Sequence, residues 1–97
     1  MQVNWQQLVK TFGKANLYIQ ILDGTAEALS AFSVGTKEVH HKTMGRLLLG
    51  TIVTVIWTDG QWVATAYDDT EIIRSNDLSE ITASVLQYYE KSVLEKG

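Results

Sequence analysis

The residues best suited to chemistry crowd into one stretch, TKEVHHKTMGR at 36–46. It holds both histidines of the chain, His40 and His41, beside Glu38 and three of the eight basic residues, Lys37, Lys42 and Arg46. Imidazoles next to a carboxylate suggest a metal site first. Adjacent histidines, however, point to opposite faces of a strand and diverge by about 100° on a helix. They are not the i, i+4 pair of a helical zinc site, and no third histidine completes a ligand set. No metal is expected here. The same stretch is the one basic cluster, so Lys37, His40, His41, Lys42 and Arg46 are candidates for binding phosphate or an acidic partner, more strongly as the histidines protonate. With no aromatic side chains interleaved, three fixed charges are a weak base for nucleic-acid binding, and nucleic acid is not the expected partner.

A second group, Asp68, Asp69 and Glu71, brings carboxylates close enough to hold a cation or to act as an acid/base pair. It lacks the alternating Asp-x-Asp-x-Asp-Gly grammar of a calcium loop, and aspartate's preference for turns accounts for it. There is no Gly-x-Ser-x-Gly elbow, no Ser-His-Asp set readable from spacing and no phosphate-binding glycine loop. The chain is therefore expected not to be an enzyme and to need no cofactor. Trp5, Tyr18, Tyr67, Tyr88 and Tyr89 could line a binding surface, although core packing explains most of them.

What must position these groups is clearest at TIVTVIWTDGQWVATAY, 51–67. Two β-branched and aromatic runs flank Asp59-Gly60, the dipeptide of a two-residue type I′ turn. That turn pairs Thr58 with Gln61, Trp57 with Trp62, Ile56 with Val63, Val55 with Ala64, Thr54 with Thr65 and Val53 with Ala66. Alternation then gives one wholly apolar face: Val53, Val55, Trp57, Trp62, Ala64 and Ala66. The other carries Ile52, Thr54, Ile56, Thr58, Gln61, Val63, Thr65 and Tyr67. A face meant only for water would carry charges, and this one has none. Ile52, Thr54, Ile56, Val63, Thr65 and Tyr67 are accordingly the candidate interface, to be closed by the N-terminal helix or by a second subunit.

Around this hairpin the chain reads in order. Trp5, Leu8, Val9 and Phe12 recur with helical spacing, with Asn4 as N-cap, Val3 and Leu8 as a hydrophobic staple, and Gly13 suited to the position just past the end. Leu17–Leu22 reads as a strand apolar on both faces, hence inside the sheet, ending at Asp23-Gly24. Residues 26–34 fit strand or helix; a strand from about Ala28 to Val34 is favoured. Residues 36–46 read as a strand end, one helical turn or a mobile loop. Leu47–Trp57 is long for a strand, and Gly50 should mark a bulge or bend in it. Glu71–Arg74 suits a short edge strand. Asp77 and Glu80 form a capping box before an amphipathic helix whose stripe is Leu78, Ile81, Thr82, Val85, Leu86, Tyr88, Tyr89 and Val93. Ala64 and Ala66 are small enough to let it approach the sheet.

The totals set the bounds. A chain of 97 residues with 45% apolar and 20% charged residues is a single globular domain, 1–97, rather than a disordered segment. Its net charge of −3 disfavours non-specific binding to nucleic acid. Without cysteine there is neither a disulfide nor a thiolate metal site. The first residues lack the basic and apolar regions of a signal peptide, and no apolar run approaches a membrane span, so a cytoplasmic location is expected. The fold class is α+β: a small antiparallel sheet of four to five strands, a C-terminal amphipathic helix on one face and a short N-terminal helix.

The order strand, Asp-Gly turn, strand ending in Asp, short connection and capped helix, in IVTVIWTDGQWVATAYDDTEIIRSNDLSEITASVLQYYEKSV, resembles the small HicB-like antitoxin fold over about residues 52–93. The resemblance implies an acidic, non-enzymatic protein that occupies a partner's surface. Residues 1–50 add elements that family does not need, and no DNA-binding tail is recognisable. The expected function is a protein–protein interaction module, an antitoxin-like or inhibitor-like regulator, with a protein partner or a second copy in a homodimer. The alternative is a small-ligand or nucleotide-binding protein with a cleft between the hairpin, a helix and the histidine-containing stretch 36–46.

Overall fold

The computed structural model describes residues 4–94, in the order α1 (Trp5–Gly13), β1 (Tyr18–Gly24), β2 (Leu29–His41), β3 (Gly45–Thr58), β4 (Gln61–Ala66), β5 (Glu71–Ser75) and α2 (Leu78–Tyr88), which runs on as a π-helical segment, Tyr89–Leu94. Val3 of the expected staple and the Val93 side chain lie outside what is described. The strands form one antiparallel sheet in sequence order, β1-β2-β3-β4-β5, an α+β fold with both helices on one face.

The Asp59-Gly60 turn sets the central register. Both residues have positive φ, 53° and 77°, as a type I′ turn requires, and all six expected β3–β4 pairs form. The Trp57 and Trp62 rings meet edge-on with centroids 5.2 Å apart. Across the sheet, Ile19, Val34, Val53 and Ala66 form one row of neighbours, and Ile21, Phe32, Val55, Ala64 and Ile73 the next. These rows make the inner face. Leu8 and Phe12 of α1 and Ile81 and Val85 of α2 pack into the same core cluster as Phe32, Val53, Val55, Trp62 and Ala64. Phe32 is fully buried and takes Trp5, Phe12 and Trp62 edge-on at centroid distances of 5.9, 6.3 and 6.4 Å.

Two expectations are corrected by this packing. The N-terminal helix does not close the mixed face, because its apolar stripe joins the inner-face core alongside α2. Nor is the first strand inside the sheet: β1 is an edge, and the burial of Ile19 comes from the helix layer above it rather than from a strand on its far side.

The helix ends show where side chains replace a simpler rule. Asn4 Oδ1 accepts the Gln7 amide at 3.1 Å, the expected N-cap. At the other end Asn16, not Gly13, takes the left-handed conformation, with φ 62°. Its amide reaches the Gly13 carbonyl, and that of Leu17 the Phe12 carbonyl, each at 3.0 Å, which is the paired bonding of a Schellman motif. Asparagine tolerates that conformation well, and the shift lets Leu17 bury against the core with Phe12. At α2, Asp77 Oδ1 accepts the Ser79 amide at 2.9 Å. The other half of the capping box runs through Ser75, whose hydroxyl accepts from the Asp77 amide at 3.0 Å and donates to Glu80 Oε2 at 3.3 Å.

Residues 36–46 are neither a helical turn nor a loop. They are the end of one long hairpin, in which Lys37 faces Leu49, Glu38 faces Leu48, Val39 faces Leu47, His40 faces Arg46 and His41 faces Gly45. The register slips where this ribbon leaves the sheet. Val34 pairs with Val53 but Gly35 with Thr51, leaving Ile52 as the extra residue of a bulge beside Gly50, whose φ is +63°. A side chain at Gly50 would run into the Thr36 hydroxyl, so the bend needs glycine there. Gly35 is equally constrained, since a Cβ would lie 2.8 Å from Leu48 Cγ.

Candidate interaction surfaces

The outer face is built by the alternation that fills the core. Gln20, Ser33, Thr54 and Thr65 form one row of neighbours across four strands, and Ala31, Ile56, Val63 and Arg74 the next. Both helices lie on the opposite side, so among the described residues no helix covers these rows. Four of the six candidate interface residues, Thr54, Ile56, Val63 and Thr65, share this face. Ile56 is 45% exposed at its centre, whereas Val63 is already 9% exposed among its neighbours. The other two fall elsewhere. Ile52 joins the core cluster, because the bulge breaks the alternation that would have turned it outward. Tyr67 lies just past β4, 78% exposed, with its amide bonded to the Ile52 carbonyl.

Charge enters the outer face at both edges, with Asp23 of β1 beside Ala31 and Arg74 and Glu71 on β5. Arg74 stands beside Val63, and its guanidinium donates to Glu71 at 2.7 Å. That bond holds the Glu71 carboxyl below its ordinary range and raises Arg74 in turn. Asp68 is likewise lowered, by the Thr70 amide that its carboxylate accepts at 3.1 Å. These carboxylates are occupied in holding the turn into β5. No group of three or more His, Cys, Asp or Glu side chains among the described residues could hold a metal ion.

The five candidate anion-binding residues are split by the pleat of the ribbon. Lys37 and His41 share one face with Val39, Leu47 and Leu49; His40 and Arg46 share the other with Glu38 and Leu48; Lys42 sits in the turn. Arg46 Nε lies 3.6 Å from Glu38, so its charge is partly offset. Among the described residues Lys37 and Lys42 have no ion-pair partner. His41 Nδ1 faces the amides of Thr43 and Met44 at 3.2 and 3.3 Å. Backbone amides only donate, so Nδ1 carries the lone pair and the ring proton sits on Nε2, pointing away from the turn.

Two clefts open on the surface of the described residues. A groove of about 490 Å³ runs between α1 and α2, lined by Leu8, Leu78, Thr82 and Leu86 with Gln7 and Thr11 at its margin. None of its lining residues is charged, and the Thr11 and Thr82 hydroxyls bond to their own helices' carbonyls, so it offers no acid or base. A smaller cleft of about 260 Å³ lies where the ribbon bends toward Trp5, Ile19 and Ile21, with Glu38 and Arg46 at its margin. Of the basic residues Arg46 alone reaches it.

The unpaired ribbon edges were not foreseen from sequence. The available signal was the bracketing of two short alternating runs by Gly35, Gly45 and Gly50. No family model, curated protein or solved structure matches the chain. Among the described residues no helix is long and apolar enough to cross a membrane.

Proposed function

We propose that the protein is a non-enzymatic protein–protein interaction module whose open sheet face is closed by a second copy of the chain. The observation that carries this reading is Ile56, nearly half exposed in the middle of a face whose neighbouring positions are Ala31, Val63 and Thr54. Antiparallel sheets turned to water ordinarily alternate to charged residues; here the charges stand only at the edges, Asp23 beside Ala31 and Glu71 and Arg74 on β5, and the uncharged centre between them is characteristic of a contact surface. The charged pair Arg74–Glu71 at one edge gives such a contact a polar rim. A twofold arrangement follows, since one face then supplies both halves of the interface. The HicB-like order of residues 52–93 supports a regulatory role within this class, acting by occupying a partner.

Sedimentation of the wild type and of Ile56→Asp tests the reading. A dimer is expected for the wild type and a folded monomer for the variant, with circular dichroism reporting the fold. A wild type that stays monomeric at high concentration, with a variant equally soluble and folded, would reject it. The small-ligand alternative rests on Arg46 beside the smaller cleft, which Trp5, Ile19, Ile21 and Leu48 line. It requires a copurifying small molecule that Arg46→Ala releases without a change in oligomeric state.

A further inference from the structure

The ribbon raises a separate question, because it is a strand pair with no further strand hydrogen-bonded to either edge. β1 leaves β2 at Gly35 and β4 leaves β3 at Val53, so residues 36–41 and 45–50 pair only with each other. A two-stranded hairpin is marginal by itself, and its outer edges present unpaired amides and carbonyls ready to take another strand. Its chemistry narrows which strand. Along the free edge of β2, Lys37, Val39 and His41 occupy one face in sequence. Lys37 and His41 are exposed, Val39 is half-buried, and Leu49 beside Lys37 is 44% exposed. Glu38, the one acidic residue of the ribbon, is on the other face beside Arg46 and cannot neutralise this row. His41 presents its Nε2 proton outward as a donor even when uncharged.

We propose that the free β2 edge of the ribbon, Thr36–His41, accepts an extended acidic peptide as a third strand. Such a peptide sets an apolar side chain against Val39 and carboxylates two residues to either side, against Lys37 and His41. Main-chain bonds supply the affinity and the alternate side chains the selectivity, the division of labour seen wherever a peptide extends a sheet. Lys42, unpaired in the adjoining turn, adds steering to a chain that is otherwise net negative. A strand fits better than a nucleic acid because Val39, Leu49 and Met44, the last 66% exposed, interleave the cations with aliphatic surface and no aromatic ring.

The inference rests on the partner-binding reading but not on the outer face. The probes are the capped heptapeptide Thr-Glu-Thr-Val-Thr-Glu-Thr, its counterpart with lysine for glutamate, and a short single-stranded DNA. Binding is followed by amide chemical shifts on the labelled full-length protein. The acidic peptide should bind, move the amides of 36–41 and protect them from exchange; the lysine peptide should bind at least about tenfold more weakly, a difference of ~1.4 kcal/mol. Lys37→Glu should invert that preference, which a merely structural role for Lys37 would not do. Equal binding of both peptides, shifts confined to the α1–α2 groove, no binding at all, or tighter binding of DNA would each overturn the proposal. If Ile56→Asp gives a monomer that still binds the peptide, the ribbon stands without the dimer; if the dimer forms and the peptide does not bind, only the ribbon falls.

Discussion

Phe32 is the residue on which the core converges. It is wholly buried in the second strand, and its ring takes an edge from Trp5 and Phe12 of the first helix segment and from Trp62 of the hairpin. Edge-to-face geometry aligns the positive rim of one ring with the negative face of another, worth about 0.5–1.5 kcal/mol per pair beyond the area buried. One side chain thus ties α1, β2 and β4 together. Phe32→Ala removes these contacts and leaves a cavity that neighbouring strands cannot collapse into, because the sheet fixes their spacing. A loss of ~3–5 kcal/mol is expected, against a typical total of about 5–15 for a small domain. Urea unfolding should show it as a lower midpoint at unchanged slope. A loss below about 1 kcal/mol would mean that the aromatic cluster repacks freely.

Among the elements, β5 and the turn into it carry the carboxyls that folding shifts. The Glu71 carboxyl is lowered by its bond to Arg74, and that of Asp68 by the Thr70 amide, so the folded state favours the ionised form of both. Their contribution is fully present above their ordinary values and is lost as pH falls through the depressed folded values. Both groups lie at the surface, so the effect is a modest one read as a difference. The melting temperature of the wild type should exceed that of the Asp68→Asn, Glu71→Gln double variant near neutral pH. The gap should close as pH falls below the ordinary carboxylate range and through the depressed folded values. A gap that stays constant through the acid range would assign the difference to packing rather than to charge. The elements also show where sequence is legible. Asp59-Gly60 specifies a turn, the turn specifies a register, and the register assigns every side chain of β3 and β4 above the bulge to a face. Ile52 escaped that logic although Gly50 marked the bend, because which residue a bulge leaves over is set by the pairing of Val34 with Val53 and Gly35 with Thr51, a property of two strands rather than of either one. The ribbon escaped it because its cations and leucines alternate without any polar-to-apolar contrast between faces. The side on which α1 packs depends on the Asn16 turn, a local choice that the helical stripe does not encode.

At the scale of the whole molecule the sheet divides into two regimes that share strands. Ala31–Val34 of β2 and Val53–Ile56 of β3 lie between other strands with the helix layer over their inner face, whereas Thr36–His41 and Gly45–Gly50 pair only with each other and meet the rest of the fold at the cleft beside Trp5, Ile19 and Ile21. Opening the first region breaks the core, while opening the second costs little buried surface, so the two should not unfold together. Native-state hydrogen exchange checks this: cross-strand amides of 31–34 and 53–56 should exchange at the free energy of global unfolding. Those of 36–41 and 45–50 should exchange at a clearly smaller one that denaturant hardly changes. Equal protection in both regions would make the ribbon an integral part of the cooperative unit. A low-stability ribbon on a rigid sheet is the arrangement in which a partner strand has most to contribute, because pairing supplies the third strand that the chain does not.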